Sequence, residues 1–63
     1  MKKITNSQAK ALRRKQADSM LSEIDVAKSI GISAQTWRRI RQGDYLTRDT
    51  VYVKAMEWLA KDY

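Results

Sequence analysis

Apolar residues recur at helical spacing along most of the chain, and two glycines divide that pattern into segments. The first segment, from about Ser7 to Ser19, is rich in helix-forming residues but carries only a narrow apolar stripe. The stripe consists mainly of Ala9 and Leu12, with Met20 as a further candidate. Three residues are candidate N-caps for this helix: Thr5, Asn6 and Ser7.

Two shorter helices are predicted next, and each follows a serine of the kind that caps a helix N-terminus. Ser22 precedes a helix of about two turns, and Gly31 marks its end because glycine readily adopts the left-handed conformation. Ser33 precedes a third helix, from Ala34 to about Arg41, which Gly43 closes. A short turn that begins at Gly31 and ends at Ser33 therefore connects the second helix to the third.

The third predicted helix has two different faces when its residues are projected at roughly 100° each. Trp37 and Ile40 fall on one side, which we expect to pack against the core. The opposite side contains only long side chains that can donate hydrogen bonds, and no carboxylate lies on that face to neutralise them. The polar face consists of Gln35, Arg38, Arg39 and Gln42, at spacings i, i+3, i+4 and i+7.

A fourth helix is predicted near the carboxyl end of the sequence. Residues 44–46 are assigned to a loop, and Thr47 is the expected N-cap of the helix that follows. Trp58 and Tyr63 are alternatively candidates for a partner surface, although an aromatic residue at helical spacing, such as Trp58, more often belongs to a core. The core stripe of this helix consists of Val51, Ala55, Trp58 and Leu59.

These segments predict an all-α fold, a small bundle of about four helices. The sequence has no proline, no linker composition and no repeat, so residues 1–63 are expected to form a single domain. A chain of this size buries only ~60% of the surface that its unfolded form exposes. It therefore needs a compact local fold or a partner.

Composition excludes several classes of protein. The absence of cysteine excludes disulfides and thiolate metal sites, and the absence of histidine removes the usual general base and the commonest metal ligand. We therefore expect neither an enzyme nor a metal, a cofactor or a small-molecule substrate. No apolar run approaches the ~20 residues of a membrane span, and no signal core follows the basic start. A soluble protein without membrane contact is expected.

The net charge points to a polyanionic partner. Thirteen Lys and Arg residues against seven Asp and Glu residues give a net charge of +6, which suits nucleic acid, an anionic membrane surface or simple solubility. The charges are unevenly placed, because a basic segment up to Gln16 and a basic cluster at residues 38–41 flank an acidic stretch. Such an arrangement favours a fold that brings the two basic blocks together.

The segment from Leu21 to Gly43 resembles the helix-turn-helix of the Cro and phage-repressor family. The resemblance rests on a polar cap, a small residue in the second helix, a Gly-apolar-Ser turn, apolar residues in the third helix and a closing glycine. These positions are occupied by Ser22, Ala27, Gly31, Ile32, Ser33, Trp37, Ile40 and Gly43. The resemblance implies a lambda-repressor-like fold with a helix-turn-helix at about residues 22–42.

The implied function is that of a Cro-like, sequence-specific DNA-binding transcriptional regulator of a phage or related mobile element. Such a protein reads the major groove of an operator with its third helix, here at about residues 34–41. It works in the cytoplasm of the bacterial host cell, in association with the nucleoid. Double-stranded DNA is the expected partner.

The resemblance also implies which residues contact DNA. The residues expected at base edges are Ser33, Ala34, Gln35, Arg38 and Arg39. Their chemistry fits, because glutamine pairs with adenine, arginine pairs with guanine, and an alanine methyl group can touch a thymine methyl group. The two arginines alternatively contact only phosphates. The residues expected at the DNA backbone are Ser22, Gln42, Thr47 and Arg48, with longer-range attraction from Lys10, Arg13 and Arg14.

Two positions depart from the family pattern. Arg41 stands where relatives often have a glutamate paired with an arginine of the first helix, and the matching first-helix position here is Gln16. We expect Arg41 to pair with Asp18 or to reach a phosphate instead. Glu23 stands where relatives often place a glutamine against a phosphate, so its carboxylate is expected to repel the DNA backbone.

The oligomeric state and two other functions remain alternatives. Relatives usually bind DNA as dimers, and this sequence continues into no further helix or strand after Tyr63. The fourth helix, with Met56, Trp58 and Tyr63, then forms a homodimer interface, or the protein binds weakly alone, or it pairs with a partner repressor. An antirepressor-type interaction protein is the alternative function. A basic surface that binds RNA or an anionic membrane is a third possibility, beside an idle positive surface.

Overall fold

The computed structural model describes residues 1–61 as a small all-α bundle with one short two-stranded sheet. Its elements, in chain order, are β1 (Lys2–Ile4), α1 (Asn6–Ser19), α2 (Glu23–Ile30), α3 (Ala34–Gln42), β2 (Tyr45–Thr47) and α4 (Asp49–Ala60). The prediction of an all-α bundle of about four helices is therefore confirmed. Tyr63 lies outside the described residues.

Local capping chemistry explains where the first three helices begin. Thr5 caps α1, since its hydroxyl accepts the N–H of Gln8 while the Gln8 amide oxygen accepts the N–H of Thr5. Ser22 and Ser33 cap α2 and α3, and each hydroxyl accepts an N–H from three residues later at 3.1 Å. Gly31 ends α2 with a φ of 93°, as its position in the sequence predicts.

The sheet was not predicted, and it corrects the assignment of Tyr45 and Leu46 to a loop, whereas Asp44 does lie in the loop before β2. Strand β1 pairs with β2 in antiparallel register, with Ile4 opposite Tyr45 and Lys2 opposite Thr47. The side chain of Ile4 is completely buried, so this pairing closes one end of the core. Thr47 belongs to the strand, and the prediction that it caps α4 is wrong. The N-cap position is occupied by Arg48, whose side chain makes no capping hydrogen bond.

The core is built around two tryptophans. The rings of Trp37 and Trp58 meet edge to face, with their centroids 5.9 Å apart and their planes at 74°. Trp58 is therefore a core residue, as its helical spacing favours. Val51 and Leu59 of the predicted stripe are only partly buried. The fully formed core cluster comprises Ile4, Ala9, Leu12, Val26, Ala27, Ile30, Trp37, Ile40 and Trp58.

Met20 is not part of the core, contrary to the prediction. It is 91% exposed and adopts the left-handed conformation at the end of α1, with a φ of 57°. The N–H of Leu21 donates to the carbonyl of Gln16 across this turn. The turn directs the chain into α2 and leaves the Met20 side chain in solvent.

Lys15 is buried although the sequence places it in a basic segment. Its ammonium group donates to the carbonyls of Trp58 and Lys61 at the end of α4, the second at 2.5 Å. These carbonyls lie where a helix leaves its acceptors unpaired and where its dipole favours a cation. Lys15 therefore connects α1 to the carboxyl end of α4 through hydrogen bonds.

Within residues 1–61, none of the helices combines the length and the apolar composition that crossing a membrane requires.

Candidate nucleic-acid interface

One face of α3 is exposed along its whole length and is lined by polar side chains. The opposite face carries Trp37 and Ile40, both completely buried, which fix the helix to the core. This anchoring sets the rotation of α3 about its own axis. The exposed side chains that result are those of Gln35, Arg38, Arg39 and Gln42. We refer to these four residues as the α3 face.

The side chains at the start of α3 are less free to contact a partner than those in the middle of the helix. The hydroxyl of Ser33 accepts the N–H of Thr36 and donates to the Thr36 hydroxyl at 2.9 Å, so its proton is already committed. Ala34 is half-buried and packs partly against the core. Among the five residues predicted at base edges, Gln35, Arg38 and Arg39 thus combine an exposed side chain with a position beyond the Ser33 cap.

A carboxylate from α2 reaches the edge of the α3 face. Glu23 accepts a hydrogen bond from Nε of Arg38 at 2.7 Å through one oxygen and from a terminal nitrogen of Arg41 at 2.5 Å through the other. Glu23 lies on a different helix, so the spacing of residues within α3 does not predict this partner. The expectation that Arg41 pairs with Asp18 is corrected, since the carboxylate that Arg41 contacts is that of Glu23.

The two guanidinium groups also change the acidity of this carboxyl group. The hydrogen bond from Arg38 is the largest influence that lowers the pKa of Glu23 below its ordinary value of 4.5, and the positive charges of Arg38 and Arg41 add to it. Partial desolvation opposes the shift. Glu23 is therefore ionised at neutral pH and forms a charged bridge between α2 and α3.

Helix α1 contributes a third arginine to the same region. The guanidinium of Arg13 donates to the backbone carbonyl of Arg41 near the end of α3. Gln16, one helical turn later, donates to the carbonyl of Leu21 at 3.2 Å and so serves the turn before α2. The basic first helix and the arginines of α3 are thus brought together, as the charge pattern predicts.

These side chains surround a surface cavity of about 440 Å³. Its lining residues are Arg13, Glu23, Arg38, Arg41 and Gln42. Three guanidinium groups and one carboxylate give this cavity a positive charge. We refer to it as the arginine cleft, and it is open to an anionic partner that approaches the α3 face.

The four residues predicted at the DNA backbone lie in different environments. Gln42 is exposed and lines the arginine cleft, and Ser22 is exposed at the start of α2. Arg48 is exposed and borders a second cavity that also contains Thr36 of the first turn of α3. The Thr47 side chain is only 5% exposed, because it lies in strand β2. Thr47 therefore presents almost no surface to a partner.

Glu23 and Arg13 converge with the predicted residues at the arginine cleft, and this convergence was not predicted from the sequence. Glu23 and Arg38 are fifteen residues apart, so no spacing within one helix joins them. The available signal was the acidic first turn of α2 beside a short turn into α3. Acidic residues in a first turn are also expected from their favourable interaction with the helix dipole, so this signal does not predict the ion pair.

Comparison with known proteins adds no family to this description. No protein-family model, no curated protein and no solved structure matches the chain.

Proposed function

We propose that this chain is a sequence-specific, Cro-like DNA-binding regulator that inserts α3 into the major groove of double-stranded DNA. The observation that carries the proposal is the α3 face, which projects Gln35, Arg38 and Arg39 into solvent from a helix fixed by two buried residues. Helix α3 has nine residues, about 13 Å at the usual helical rise. The major groove is about 12 Å wide and admits a helix of this kind.

The side chains of the α3 face are better suited to contacts with base edges than to contacts with phosphates alone. Gln35 can donate to and accept from adenine, and a guanidinium such as that of Arg38 or Arg39 can donate two parallel hydrogen bonds to guanine. Lysine would serve phosphates equally well as a point charge, but the α3 face contains none. Direct contact with bases is therefore the role proposed for these three side chains.

The turn between α2 and α3 supports a helix-turn-helix. Gly31 adopts a positive φ, and the N–H groups of Gly31 and Ile32 both donate to the carbonyl of Ala27. The three residues from Gly31 to Ser33 thus end α2 and cap the start of α3. In the proposed complex, the start of α2 at Ser22 faces a phosphate, where helix N–H groups and the helix dipole favour an anion.

The charge distribution supports a polyanionic partner. The proposed function would place the chain in a bacterial cytoplasm, near the nucleoid. The net charge is +6, and the arginine cleft adjoins the α3 face. Phosphate contacts of this kind give an affinity that falls steeply with salt concentration. Exposed lysines and arginines of α1, such as Lys10 and Arg14, add attraction without base preference.

Exposed apolar side chains favour partner binding as a second candidate function. Val53 on α4 is 50% exposed beside a cavity of about 430 Å³, and Leu46 on β2 is 58% exposed. These positions suit a homodimer on a two-fold operator or a complex with a partner repressor. Analytical ultracentrifugation of the chain with and without duplex DNA detects a homodimer, and the same run with the partner repressor added detects a complex with it. A stable complex with a partner repressor, without DNA binding by the chain alone, supports the antirepressor-type function.

Selection from a library of random duplexes tests the main proposal. The wild-type protein should enrich one short motif over successive rounds, and the enriched duplex should bind more tightly than a scrambled duplex at the same salt concentration. The double variant Gln35→Ala/Arg38→Ala should enrich no such motif while it remains folded by circular dichroism. Wild-type protein that binds all duplexes equally would exclude sequence-specific recognition.

A further inference from the structure

The hydrogen bond between Glu23 and Arg38 uses a particular nitrogen of the arginine. A guanidinium group has five N–H donors, one on Nε and four on the two terminal nitrogens. Glu23 accepts from Nε of Arg38, and the Arg38 side chain remains 62% exposed. Both terminal nitrogens therefore stay available to a second acceptor. Guanine presents two acceptors, O6 and N7, at a spacing that suits such a pair of donors.

The carboxylate that holds Arg38 is itself held in place. Its other oxygen accepts from Arg41 at 2.5 Å, and its backbone belongs to the first turn of α2, directly after the Ser22 cap. The side chains of Glu23 and Arg41 are both about two-thirds buried. A long arginine side chain has many rotamers, and a fixed acceptor at Nε removes most of them before any DNA is bound.

The same carboxylate reduces the positive charge available to phosphates. Two of the three guanidinium groups of the arginine cleft are paired with Glu23. Binding without sequence preference depends on the number of phosphates that cationic side chains neutralise. Glu23 therefore weakens contacts to any DNA backbone while it leaves the terminal nitrogens of Arg38 free for a base.

We propose that Glu23 is a specificity-determining positioning residue, which orients Arg38 toward a guanine and withholds Arg41 from phosphates. This inference rests on the proposed function. The ion pair between α2 and α3 then increases discrimination between DNA sequences and does not increase overall affinity. Arg38 is the residue that touches the base, and Glu23 acts through it.

The test compares Glu23→Gln with wild-type protein and with Asp25→Asn. Asp25 is exposed in the same first turn of α2, so its variant removes the same charge. Binding is measured by fluorescence anisotropy on the selected duplex, on copies with each guanine replaced in turn, and on a scrambled duplex, over a range of salt concentrations. Circular dichroism checks that each variant is folded.

Glu23→Gln should bind the scrambled duplex several-fold more tightly, and its log–log salt slope should steepen by about one because Arg41 gains a phosphate. Its preference for one particular guanine should fall roughly tenfold, which is within the range of one bidentate contact. Asp25→Asn should retain the full preference for that guanine.

A second variant separates the position of the carboxylate from its charge. Glu23→Asp keeps the charge but withdraws the carboxylate by one methylene group, so it should also lose the guanine preference, without the gain on scrambled DNA. A contrary result would be that Glu23→Gln binds every duplex more tightly by the same factor and keeps the guanine preference. Glu23 would then only compete with phosphates for the arginines, and the inference would be overturned. Wild-type protein without any sequence preference would instead reject the proposed function, and the inference with it.

Discussion

The ammonium group of Lys15 lies 4.6 Å from the centroid of the Trp58 ring and donates to the backbone carbonyl of the same residue. Lys15 thus contacts both the aromatic face and the main chain of Trp58. The side chain is only 7% exposed, and Trp58 in turn meets Trp37 in the core. A charged residue of α1 therefore connects the end of α4 to the aromatic pair that supports α3.

Replacement of Lys15 by methionine should destabilise the protein by about 1–3 kcal/mol, because carbonyls at the end of α4 lose a charged donor and the cation–π contact is lost. Urea unfolding followed by circular dichroism measures the change. Lys10→Met is the matched control, since Lys10 is an exposed lysine of the same helix, and it should change stability by less than about 0.5 kcal/mol. Equal stability of the two variants would contradict the role assigned to Lys15.

The two glycines should differ in their tolerance of alanine. At Gly43, which has a φ of 86°, an added Cβ would lie 2.5 Å from Oδ1 of Asn6 and 3.3 Å from Cβ of Ala9. At Gly31, which has a φ of 93°, the nearest atoms are 3.9 Å away in a flexible lysine side chain. Gly31→Ala should cost about 1–2 kcal/mol from backbone strain alone, and Gly43→Ala should cost about 1–3 kcal/mol more.

Thermal unfolding of both alanine variants checks this order. Gly43→Ala should have the lower melting temperature, because the Asn6 side chain must rotate away and α1 must shift slightly where the methyl group meets Cα of Asn6 and Cβ of Ala9. A lower melting temperature for Gly31→Ala would mean that the close approach of Gly43 to Asn6 is unimportant.

Acidification should weaken the bridge between α2 and α3. Since Arg38 and Arg41 hold the folded pKa of Glu23 below 4.5, the bridge stabilises the folded state above that pH and ceases to do so as the pH falls through the folded pKa. Titration of the Glu23 carboxyl carbon by NMR should give a pKa below 4.5 in the wild type. The pKa should rise in Arg38→Ala, which removes the largest cause of the shift. An unaltered pKa in that variant would contradict the hydrogen bond.

Alanine substitutions should separate base contacts from general attraction. Gln35→Ala and Arg38→Ala should each lose about 1–3 kcal/mol of binding to the selected duplex and lose preference at particular base pairs. Arg14→Ala, on the exposed surface of α1, should weaken binding to all duplexes by a similar factor and reduce the salt slope by about one. Anisotropy titrations on the selected and scrambled duplexes distinguish the two patterns. Loss of preference in Arg14→Ala alone would place the base contacts on α1.

The ends of α2 and α3 were predictable because local chemistry determines them. A serine hydroxyl that caps an N-terminus acts over three residues, and a glycine at a helix end needs only its own backbone freedom. Ser22, Ser33 and Gly31 carry this information within the sequence. The buried positions of Trp37 and Ile40 follow from helical spacing in the same way, and with them the exposed α3 face.

The sheet and the ion pair were not predictable, because they depend on contacts between distant segments. Strands β1 and β2 have three residues each and gain their stability from tertiary pairing, which buries Ile4. Lys15 resembles its solvated neighbours in sequence, and its burial requires the end of α4 to be in place. The contact of Glu23 with Arg38 likewise exists only after the turn at Gly31 has folded.

The most direct measurement is an NMR titration of labelled protein with the selected duplex, in which backbone amides and the side-chain N–H groups of Gln35 and Arg38 are followed. If α3 enters the major groove, the largest intermolecular effects should lie along the α3 face and include contacts from the Gln35 and Arg38 side chains to base protons. Smaller changes are expected at the start of α2 and near Arg48. Contacts confined to α1 or α4, with the α3 face unperturbed by a duplex that the protein binds selectively, would contradict recognition of DNA by α3.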